Sequence, residues 1–542
     1  MAQNLADAIP SKSTSFRSYL GRENDKSLFW KPVTKAEVFN LLQKLDIKKS
    51  CGYDNIPGRL LKDGAAYISH VLAHIFNLSL KYGRVPDGMK VAKVTPIYKK
   101  GPKGDPGNYR PISVLPVLSK IFEKIINSRL MQFLEESSVF FKHQYGFRKK
   151  YSTKLSLINL SNTILRSIDE GSATLGIFID FKKAFDTINH KLLLHKLSYY
   201  GIRGLQLRWF EDYLSSRYQY VQCGESVSKK LGIRCGVPQG SVLGPTLFLI
   251  YINDLPSATD YFNFRLFADD SNLFHTFPAG QSDIDVNEIN VNIGKVAKWC
   301  MANKLTINSA KTKFMLIGSK RRNFKLSGKL EIAGIEIGEV DEATFVGITI
   351  DKHLSWEYHI REVNSCIRKR VGILFRLRHY IPKHALILLY KAFIEPHLTY
   401  GIEVWGSTYK SNLNCIFLTQ KMAVRAITFS NWQAHSRPLF QDLKILSIYD
   451  LHHLSVCTFM YDLKNKNVPH SLTDYCNVIQ HRYSTRQKVD QQVHLPKFRT
   501  SQGQFSISFL GSMYWNDVPT VIKLQPSRNT FRNTLKSYLL NQ

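Results

Sequence analysis

Short apolar runs and longer stretches with helical apolar spacing alternate along the chain. Residues 174–179 form a short, largely apolar run, which predicts a buried strand that ends abruptly at Asp180. Apolar residues also flank the segment Phe267-Ala268-Asp269-Asp270, which predicts a tight hairpin with two adjacent carboxylates at its tip. If both elements belong to one sheet, the three carboxylates can converge on one edge of it.

Helical spacing predicts the elements around these strands. The apolar positions predict helices over residues 157–168, 188–197, 242–252 and 286–300, the first of which ends at Gly171. One strand and a hairpin, with helices on one face, indicate an α+β fold built on an antiparallel sheet. This order of elements is not that of a doubly wound parallel sheet.

Capping and turn signals add local detail. Thr34 is the predicted N-cap of a helix near the start of the chain. Asp186 or Thr187 is predicted to cap the helix of the 188–197 stripe, and for Asp186 a role as a fourth metal ligand is the alternative. Val91 to Tyr98 predicts a strand that leads into a loop of Gly, Pro and Lys over residues 99–108.

Charge points to a polyanionic partner. The 542 residues include 74 Lys and Arg against 42 Asp and Glu, a formal net charge of +32. A surface of this kind favours nucleic acid, because each phosphate that it neutralises releases counterions. A basic surface that only improves solubility is the alternative, and a basic membrane-surface protein is disfavoured because no strongly amphipathic basic helix is evident.

Cysteine usage and hydropathy bear on the cellular setting. The eight cysteines are widely spread and include no CxxC pair, so no zinc module is indicated. The chain also has no signal peptide and no 18-residue apolar span. We therefore expect an intracellular protein with free thiols and no membrane insertion.

The three carboxylates suit one kind of chemistry. Carboxylate oxygens hold pairs of divalent cations, and two such metals carry out phosphoryl or nucleotidyl transfer. An Asp-Asp pair in a turn is nevertheless more often a solvated loop, so Asp269 and Asp270 need support from the surrounding sequence.

That support comes from four segments in a fixed order. They are Asn108-Tyr109-Arg110-Pro111-Ile112-Ser113, Asp180-Phe181-Lys182-Lys183-Ala184-Phe185-Asp186, the string from Gly236 to Pro245 that includes Pro-Gln-Gly-Ser-Val-Leu-Gly-Pro, and Phe267-Ala268-Asp269-Asp270. Together they resemble the reverse transcriptase of non-LTR retrotransposons, in particular the jockey-like group. The resemblance extends from about Phe29 to the end of the chain.

The resemblance implies a right-hand polymerase fold with fingers, a palm built on an antiparallel sheet, a helical thumb and a helix-rich C-terminal region. The expected organisation is a poorly ordered linker over 1–28, an N-terminal helical extension over 29–90, fingers and palm over 91–351, a thumb over 352–430 and a C-terminal region over 431–542.

The family's site residues map onto this sequence by motif. Asp180, Asp269 and Asp270 would hold two Mg²⁺ ions, or Mn²⁺ in their place, and the second Asp of the Asp-Asp box is less directly engaged in related polymerases. Lys311 matches a lysine near the leaving pyrophosphate and is the candidate general acid. The expected nucleotide-binding residues are Lys99, Arg110, Phe185, Gln239 and Gly240. For Phe185, plain core packing is the alternative.

Other segments match less specific parts of the family. Residues 345–351 resemble the primer-gripping hairpin, and residues 390–405 resemble the thumb, in which His397 is expected to be structural. In the tail, Arg482, Thr485-Arg486 and 515–519 recur in the element group and are expected only to contact RNA or DNA.

The function implied is RNA-directed DNA polymerisation from a DNA 3′ end on an RNA template, as in target-primed reverse transcription. The expected partners are an RNA template, a DNA primer or target and deoxynucleoside triphosphates; no membrane is expected, and no oligomeric state is indicated. A ribonucleoprotein in nucleus and cytoplasm is expected. Related elements carry an upstream endonuclease, which we expect this chain to lack. The alternatives are an inactive element remnant that only binds nucleic acid and an enzyme of the telomere or intron-maturation type.

Overall fold

The computed structural model describes residues 15–281, 283–469, 472, 475 and 491–542. The first α-helix begins where the sequence predicts. The Thr34 side chain accepts a hydrogen bond from Glu37 N at 3.1 Å and caps this helix. The helices up to residue 302 are α1 Lys35–Gln43, α2 Gly58–Asp63, α3 Ala65–Tyr82, α4 Val117–Glu136, α5 Thr153–Glu170, α6 His190–Tyr199, α7 Gly204–Leu214, α8 Leu243–Ile252 and α9 Val286–Ala302.

Residues 15–28 pack on this body. Asn24 N donates to Tyr199 O at 3.1 Å, and Leu28 N donates to Gly201 O at 2.9 Å. Glu23 forms a salt bridge with Arg203 at 2.8 Å. The expected poorly ordered linker over 1–28 is therefore wrong for residues 15–28, because their main chain finds partners at the end of α6, while residues 1–14 lie outside the described part.

Strands from two regions of the chain build the first sheet. Strand β1 pairs antiparallel with β2 and parallel with β4, and β4 pairs in turn with β5 and β6. The strand predicted over Val91 to Tyr98 is present with those bounds. The strands that precede the carboxylate hairpin are β1 Val91–Tyr98, β2 Tyr109–Val114, β3 Thr174–Ile179, β4 Arg217–Cys223, β5 Ser226–Val227 and β6 Leu231–Ile233.

The second sheet carries the acidic positions and runs in the order β14-β10-β3-β8-β7. Its central pairs, β10 with β3, β3 with β8 and β8 with β7, are antiparallel as predicted, and the edge strand β14 is parallel to β10. The remaining strands are β7 Asn263–Phe267, β8 Asp270–Thr276, β9 Asp283–Asp285, β10 Lys313–Ile317, β11 Lys325–Ser327, β12 Glu331–Ile332, β13 Ile335–Glu336, β14 Gly338–Glu339, β15 Glu342–Phe345 and β16 Ile348–Asp351.

Both faces of this sheet are buried. Leu175 and Ile177 on one face of β3 join a hydrophobic cluster with α4, α8 and α9. Phe178 on the other face joins a second cluster with α5 and the C-terminal helices. The expectation of helices on one face is therefore wrong, because every residue of β3 is buried, as in strands covered on both sides.

Helices make up most of the chain after residue 351. They share the second hydrophobic cluster with the sheet, so the C-terminal region is continuous with the fold. Asp169 at the end of α5 accepts hydrogen bonds from Arg499 N at 3.0 Å and Thr500 N at 2.7 Å. These helices are α10 Glu357–Leu377, α11 Lys383–Phe393, α12 Glu395–Thr399, α13 Ile402–Trp405, α14 Lys410–Thr428, α15 Ser436–Asp442, α16 Ile448–Lys464, α17 Ile507–Asp517, α18 Thr520–Lys523 and α19 Arg528–Asn541.

Within the described ranges, no helix combines the length and the apolar character that crossing a membrane requires. The predicted helix that ends at Gly171 is confirmed, since Gly171 caps α5 with φ +80°. The predicted helix over 242–252 is confirmed as α8, whose side chains are buried almost all round, and the helix over 286–300 is confirmed as α9.

Candidate active site

The register of the second sheet brings the three carboxylates to one edge. Ile179 of β3 pairs with Ser271 of β8, so the next position along each strand places Asp180 opposite Asp270. Phe267 pairs with Asp270, which leaves Ala268 and Asp269 as the turn of the β7–β8 hairpin. The hairpin and the convergence of carboxylates are thus found as the sequence predicts.

Asp180 is held by the segment that follows α9. Asn308 Nδ2 donates to Asp180 Oδ2 at 2.8 Å, and Asn308 N donates to Asp180 O at 2.7 Å. Lys311 Nζ lies 3.8 Å from the same Oδ2. Both side chains of this ion pair are about half exposed, so Lys311 is close to the carboxylates and free to reach into solvent.

The carboxylates act on one another electrostatically. Burial, then the charges of Asp269 and Asp180, raises the pKa of Asp270 to about 6. The pKa of Asp269 is also raised, by burial and then by Asp180, while Arg110 and Lys99 oppose the shift. Negative charge is therefore concentrated at this edge, and two cations of the first sheet partly balance it.

The donor set matches divalent magnesium or manganese. Oxygen ligands from carboxylates are those that Mg²⁺ prefers, and a cation would relieve the repulsion that raises the pKa of Asp270. Among the described residues, no three His, Cys, Asp or Glu side chains are already arranged as a ligand cluster. Asp180 Oδ2 is instead engaged by Asn308 and Lys311.

Lys99 and Arg110 share one face of the first sheet. Ile97 pairs with Arg110 across β1 and β2, and Lys99 N extends the ladder by donating to Asn108 O at 2.9 Å. Alternate residues of a strand point to the same side, so Lys99 lies on the face of Ile97 and Arg110. Both cations act on Asp269 by lowering its pKa, against the larger effect of burial.

The loop before α8 packs on the same sheet. Gln239 O accepts from Ser113 N at 2.7 Å. Gly240 has φ +125°, and a Cβ there would lie 2.5 Å from Ser113 O. Gly236 is similarly close to Asp186 O. In this structure these glycines therefore allow close contact between main chains.

The Gln239 amide points to the Asp180 segment. Its Nε2 donates to Asp186 Oδ1 at 2.8 Å, and burial raises the pKa of Asp186. Both side chains line a cavity of about 210 Å³ together with Ser113 and Lys183. Asp180, Asp269 and Asp270 are not among the residues that line this cavity.

Asp186 does not cap α6. The N-cap is Asn189, whose side chain accepts from Leu192 N at 3.1 Å. Asp186 ends a short 3₁₀ turn, Ala184–Asp186, and is committed to Gln239. The capping prediction is wrong because Asp186 belongs to this turn and Thr187 follows it as the C-cap, so the N-cap position of the helix falls to Asn189.

Phe185 is half-buried and stacks on Phe248 of α8, with ring centroids 4.5 Å apart. This contact is the core packing that the sequence left as the alternative. A role beside the sugar of a nucleotide remains a prediction.

Comparison with known proteins agrees with this arrangement. The family described as reverse transcriptase (RNA-dependent DNA polymerase) matches residues 97–350. These residues belong to the reverse transcriptase family. The match contains Arg110, Asp180, Gln239 and the β7–β8 hairpin, so the resemblance inferred from the motifs is confirmed.

Similarity continues beyond the reverse transcriptase domain. The chain is 30% identical over 439 residues to the probable RNA-directed DNA polymerase from transposon BS of Drosophila melanogaster, covering 78% of this chain and 47% of that protein. It is 29% identical over 449 residues to the RNA-directed DNA polymerase from mobile element jockey of the same species, covering 80% of this chain and 48% of that protein. The chain thus spans about half the length of these curated relatives.

Two buried side chains support the reverse transcriptase site and were missed by the sequence analysis. Glu123 of α4 accepts hydrogen bonds from Val242 N at 2.6 Å and Tyr213 OH at 3.1 Å, and so fixes the N-terminus of α8. Gln144 contacts the hairpin that carries Asp269. The sequence signals for these two roles are slight: Glu123 stands inside an apolar helical stripe, and Gln144 stands two residues before Gly146.

The hairpin resembling a primer grip is present as β15 and β16, with Thr344 opposite Thr349. Tyr400 OH donates to Val346 O at 2.6 Å and ties this hairpin to the helical region resembling a thumb. His397 Nδ1 lies 4.0 Å from Cys366 Sγ. Arg482 and residues 485–486 lie outside the described part. Residues 515–517 end α17, Val518 is its C-cap, and Pro519 is the N-cap of α18.

Proposed function

We propose that the chain is an RNA-directed DNA polymerase that extends a DNA 3′ end on an RNA template, as in target-primed reverse transcription of a non-LTR retrotransposon. The observation that carries the proposal is the meeting of Asp180, Asp269 and Asp270 at one sheet edge within a reverse transcriptase domain. The names of the relatives, which describe RNA-directed DNA polymerases, support it.

The organisation proposed is that of a right-hand polymerase. The first sheet belongs to the fingers, the carboxylate sheet to the palm and α10–α14 to the thumb, with fingers and palm over 91–351, thumb over 352–430 and C-terminal region over 431–542. The helices α1–α3 form the N-terminal extension over 29–90. Cations on the fingers that face the palm carboxylates support this division.

Asp180 and Asp269 are the proposed ligands of two Mg²⁺ ions, with Asp270 the third and less directly engaged carboxylate. When bound, the ions lower the pKa of the primer 3′-hydroxyl and neutralise charge on the triphosphate. The primer hydroxyl loses its proton to solvent as its oxygen forms a bond to the α-phosphorus, and the bond from that phosphorus to the bridging oxygen breaks to release pyrophosphate. Asn308 holds Asp180 in place through its amide.

Lys311 is the proposed general acid. It lies 3.8 Å from Asp180 and is exposed, so it can turn from that carboxylate to the leaving pyrophosphate and give it a proton. Lys99 and Arg110 neutralise the triphosphate from the fingers side, and the planar fork of Arg110 suits two phosphate oxygens at once.

Gln239 and Gly240 are proposed to place the nucleotide against the cavity beside Asp186. Because Asp186 accepts one amide hydrogen of Gln239, the orientation of that amide is set before a nucleotide enters. Phe185 borders the same turn, and its ring is proposed to limit space at the 2′ position of the sugar.

The proposed partners are an RNA template, a DNA primer or target, and deoxynucleoside triphosphates. A ribonucleoprotein in nucleus and cytoplasm is the setting that the resemblance implies. The formal charge of +32 supports a polyanionic partner, whose affinity should fall steeply with salt.

Primer extension tests the proposal. Purified protein is mixed with an RNA template, an annealed DNA primer and deoxynucleoside triphosphates, with and without Mg²⁺, and binding to the same duplex is measured in parallel. We expect extension that requires Mg²⁺. Binding without extension under any metal would contradict the proposal and favour a remnant that only binds nucleic acid.

A further inference from the structure

A short segment covers the outer edge of the hairpin that presents Asp269. Residues 143–145 lie beside β7: Tyr145 N donates to Leu266 O at 2.8 Å, and Leu266 N donates to His143 O at 3.0 Å. Gln144 and Leu266 form a parallel bridge. β7 is the last strand of the sheet, so its outer edge would otherwise be free. Residues 143–145 cover part of that edge.

The Gln144 side chain reaches past the strand to the turn itself. Its Oε1 accepts from Ala268 N at 3.1 Å and from Gly146 N at 2.9 Å, and the residue is 2% exposed. Ala268 has φ +54°, a left-handed conformation that non-glycine residues rarely adopt without support. The bond from Gln144 therefore holds a strained residue directly before Asp269.

Gly146 allows this contact. A Cβ at Gly146 would lie 2.6 Å from Ala268 N, well inside van der Waals distance. The main chain of residue 146 must therefore lie directly against the turn, and any side chain there would push the turn away. Gln144 and Gly146 thus both act on the main chain at Ala268 N, the first through a hydrogen bond and the second through a close contact.

The acceptor oxygen is the part of Gln144 that matters. Its Nε2 is buried and has no hydrogen-bond partner among the described residues. An amide brings an acceptor to Ala268 N without adding a fourth carboxylate beside Asp180, Asp269 and Asp270.

We propose that Gln144 is a positioning residue of the polymerase site: through the main chain of Ala268 it sets the turn that aims the Asp269 carboxylate, and it touches neither substrate nor metal itself. The inference rests on the proposed assignment of Asp269 as a metal ligand. It predicts that losing the acceptor weakens metal binding and the rate of the chemical step, while binding of the primer–template is retained.

The test compares Gln144→Met, which keeps the length of the side chain and removes the acceptor, with Gly146→Ala, which displaces the turn directly. Gln420→Met is the matched control, because Gln420 is equally buried and hydrogen-bonds Tyr390 OH, Leu446 O and Ile448 N far along the chain. Gly104→Ala controls for the glycine change, since a Cβ there meets nothing within 4 Å.

The first readout is the binding of Mn²⁺ alone, without nucleotide, followed by electron paramagnetic resonance of the free ion. The second is the split between kcat and KM in primer extension. Both site variants should lose about tenfold to a hundredfold in Mn²⁺ affinity and in kcat, as changes to residues that orient metal ligands do. Their KM for primer–template should stay within about twofold of the unchanged protein.

Gln420→Met should lower the melting temperature and leave Mn²⁺ affinity unchanged. Unaltered Mn²⁺ affinity in Gln144→Met and in Gly146→Ala would overturn the inference, as would an equal loss in Gln420→Met. A third outcome separates the two proposals: the unchanged protein binds Mn²⁺ but extends no primer, and both site variants bind Mn²⁺ more weakly. In that case the proposed function fails and the positioning role stands.

Discussion

Replacing Lys196 with methionine should destabilise the protein by about 3–5 kcal/mol, because it leaves the carboxylate of Asp254 buried without its counter-charge. Lys196 Nζ lies 2.5 Å from Asp254 Oδ1, and the two side chains are 0% and 3% exposed. Nζ also donates to Tyr251 O at 2.6 Å. Burial lowers the pKa of Lys196, and the charge of Asp254 opposes that shift.

The pair connects three helices under the carboxylate sheet. Lys196 belongs to α6, Asp254 follows α8, and Trp299 of α9 donates from Nε1 to Asp254 Oδ2 at 3.2 Å. The variant Lys196→Met/Asp254→Asn removes both charges and keeps an acceptor for Trp299. Its free energy of unfolding should therefore fall by about 1–2 kcal/mol, less than that of the single variant, because only the hydrogen bonds of the pair are no longer made.

Urea unfolding followed by tryptophan fluorescence measures both free energies of unfolding. Lys352→Met is the control, because it breaks an exposed pair with Asp341 that should contribute at most about 1 kcal/mol. The reasoning is refuted if Lys196→Met costs no more than this control, or if the double variant is as unstable as the single one.

Two further changes test contacts at the site. Gly240→Ala should destabilise the protein by about 1–3 kcal/mol and lower extension activity, because the new Cβ would lie 2.5 Å from Ser113 O and a φ of +125° suits glycine alone. Gly104→Ala is the control and should change neither the melting temperature nor the activity. Equal effects of the two changes would refute the packing role of Gly240. Arg110→Lys keeps the charge and loses the fork, so KM for nucleotide should rise about tenfold in steady-state extension, and an unchanged KM would remove Arg110 from the nucleotide site.

Local patterns predicted the elements that carry the carboxylates. The strand over 174–179 has the predicted bounds, and the hairpin places Asp269 in its turn, because continuous apolar runs and turn residues report directly on strands and their ends. Family motifs then identified which carboxylates belong together. That step needed the whole ordered set of motifs, because an Asp-Asp turn alone indicates no function.

The remaining features depend on tertiary contacts that spacing does not encode. Asp186 and Asn189 are both good capping residues, and Asn189 takes the cap position because Asp186 is part of a 3₁₀ turn. The anchoring of residues 15–28 depends on main-chain groups at the end of α6. Gln144 contacts a turn more than a hundred residues away along the chain, and no periodic pattern reports such a contact.

The most direct test of the central claim is primer extension by Asp269→Asn beside Asp341→Asn. Both variants remove one carboxylate charge, but Asp341 lies in an exposed pair with Lys352, away from the hairpin. The account predicts that Asp269→Asn binds the RNA–DNA duplex with unchanged affinity and does not extend the primer, whereas Asp341→Asn extends it normally. Extension by Asp269→Asn at the rate of the unchanged protein would contradict the account.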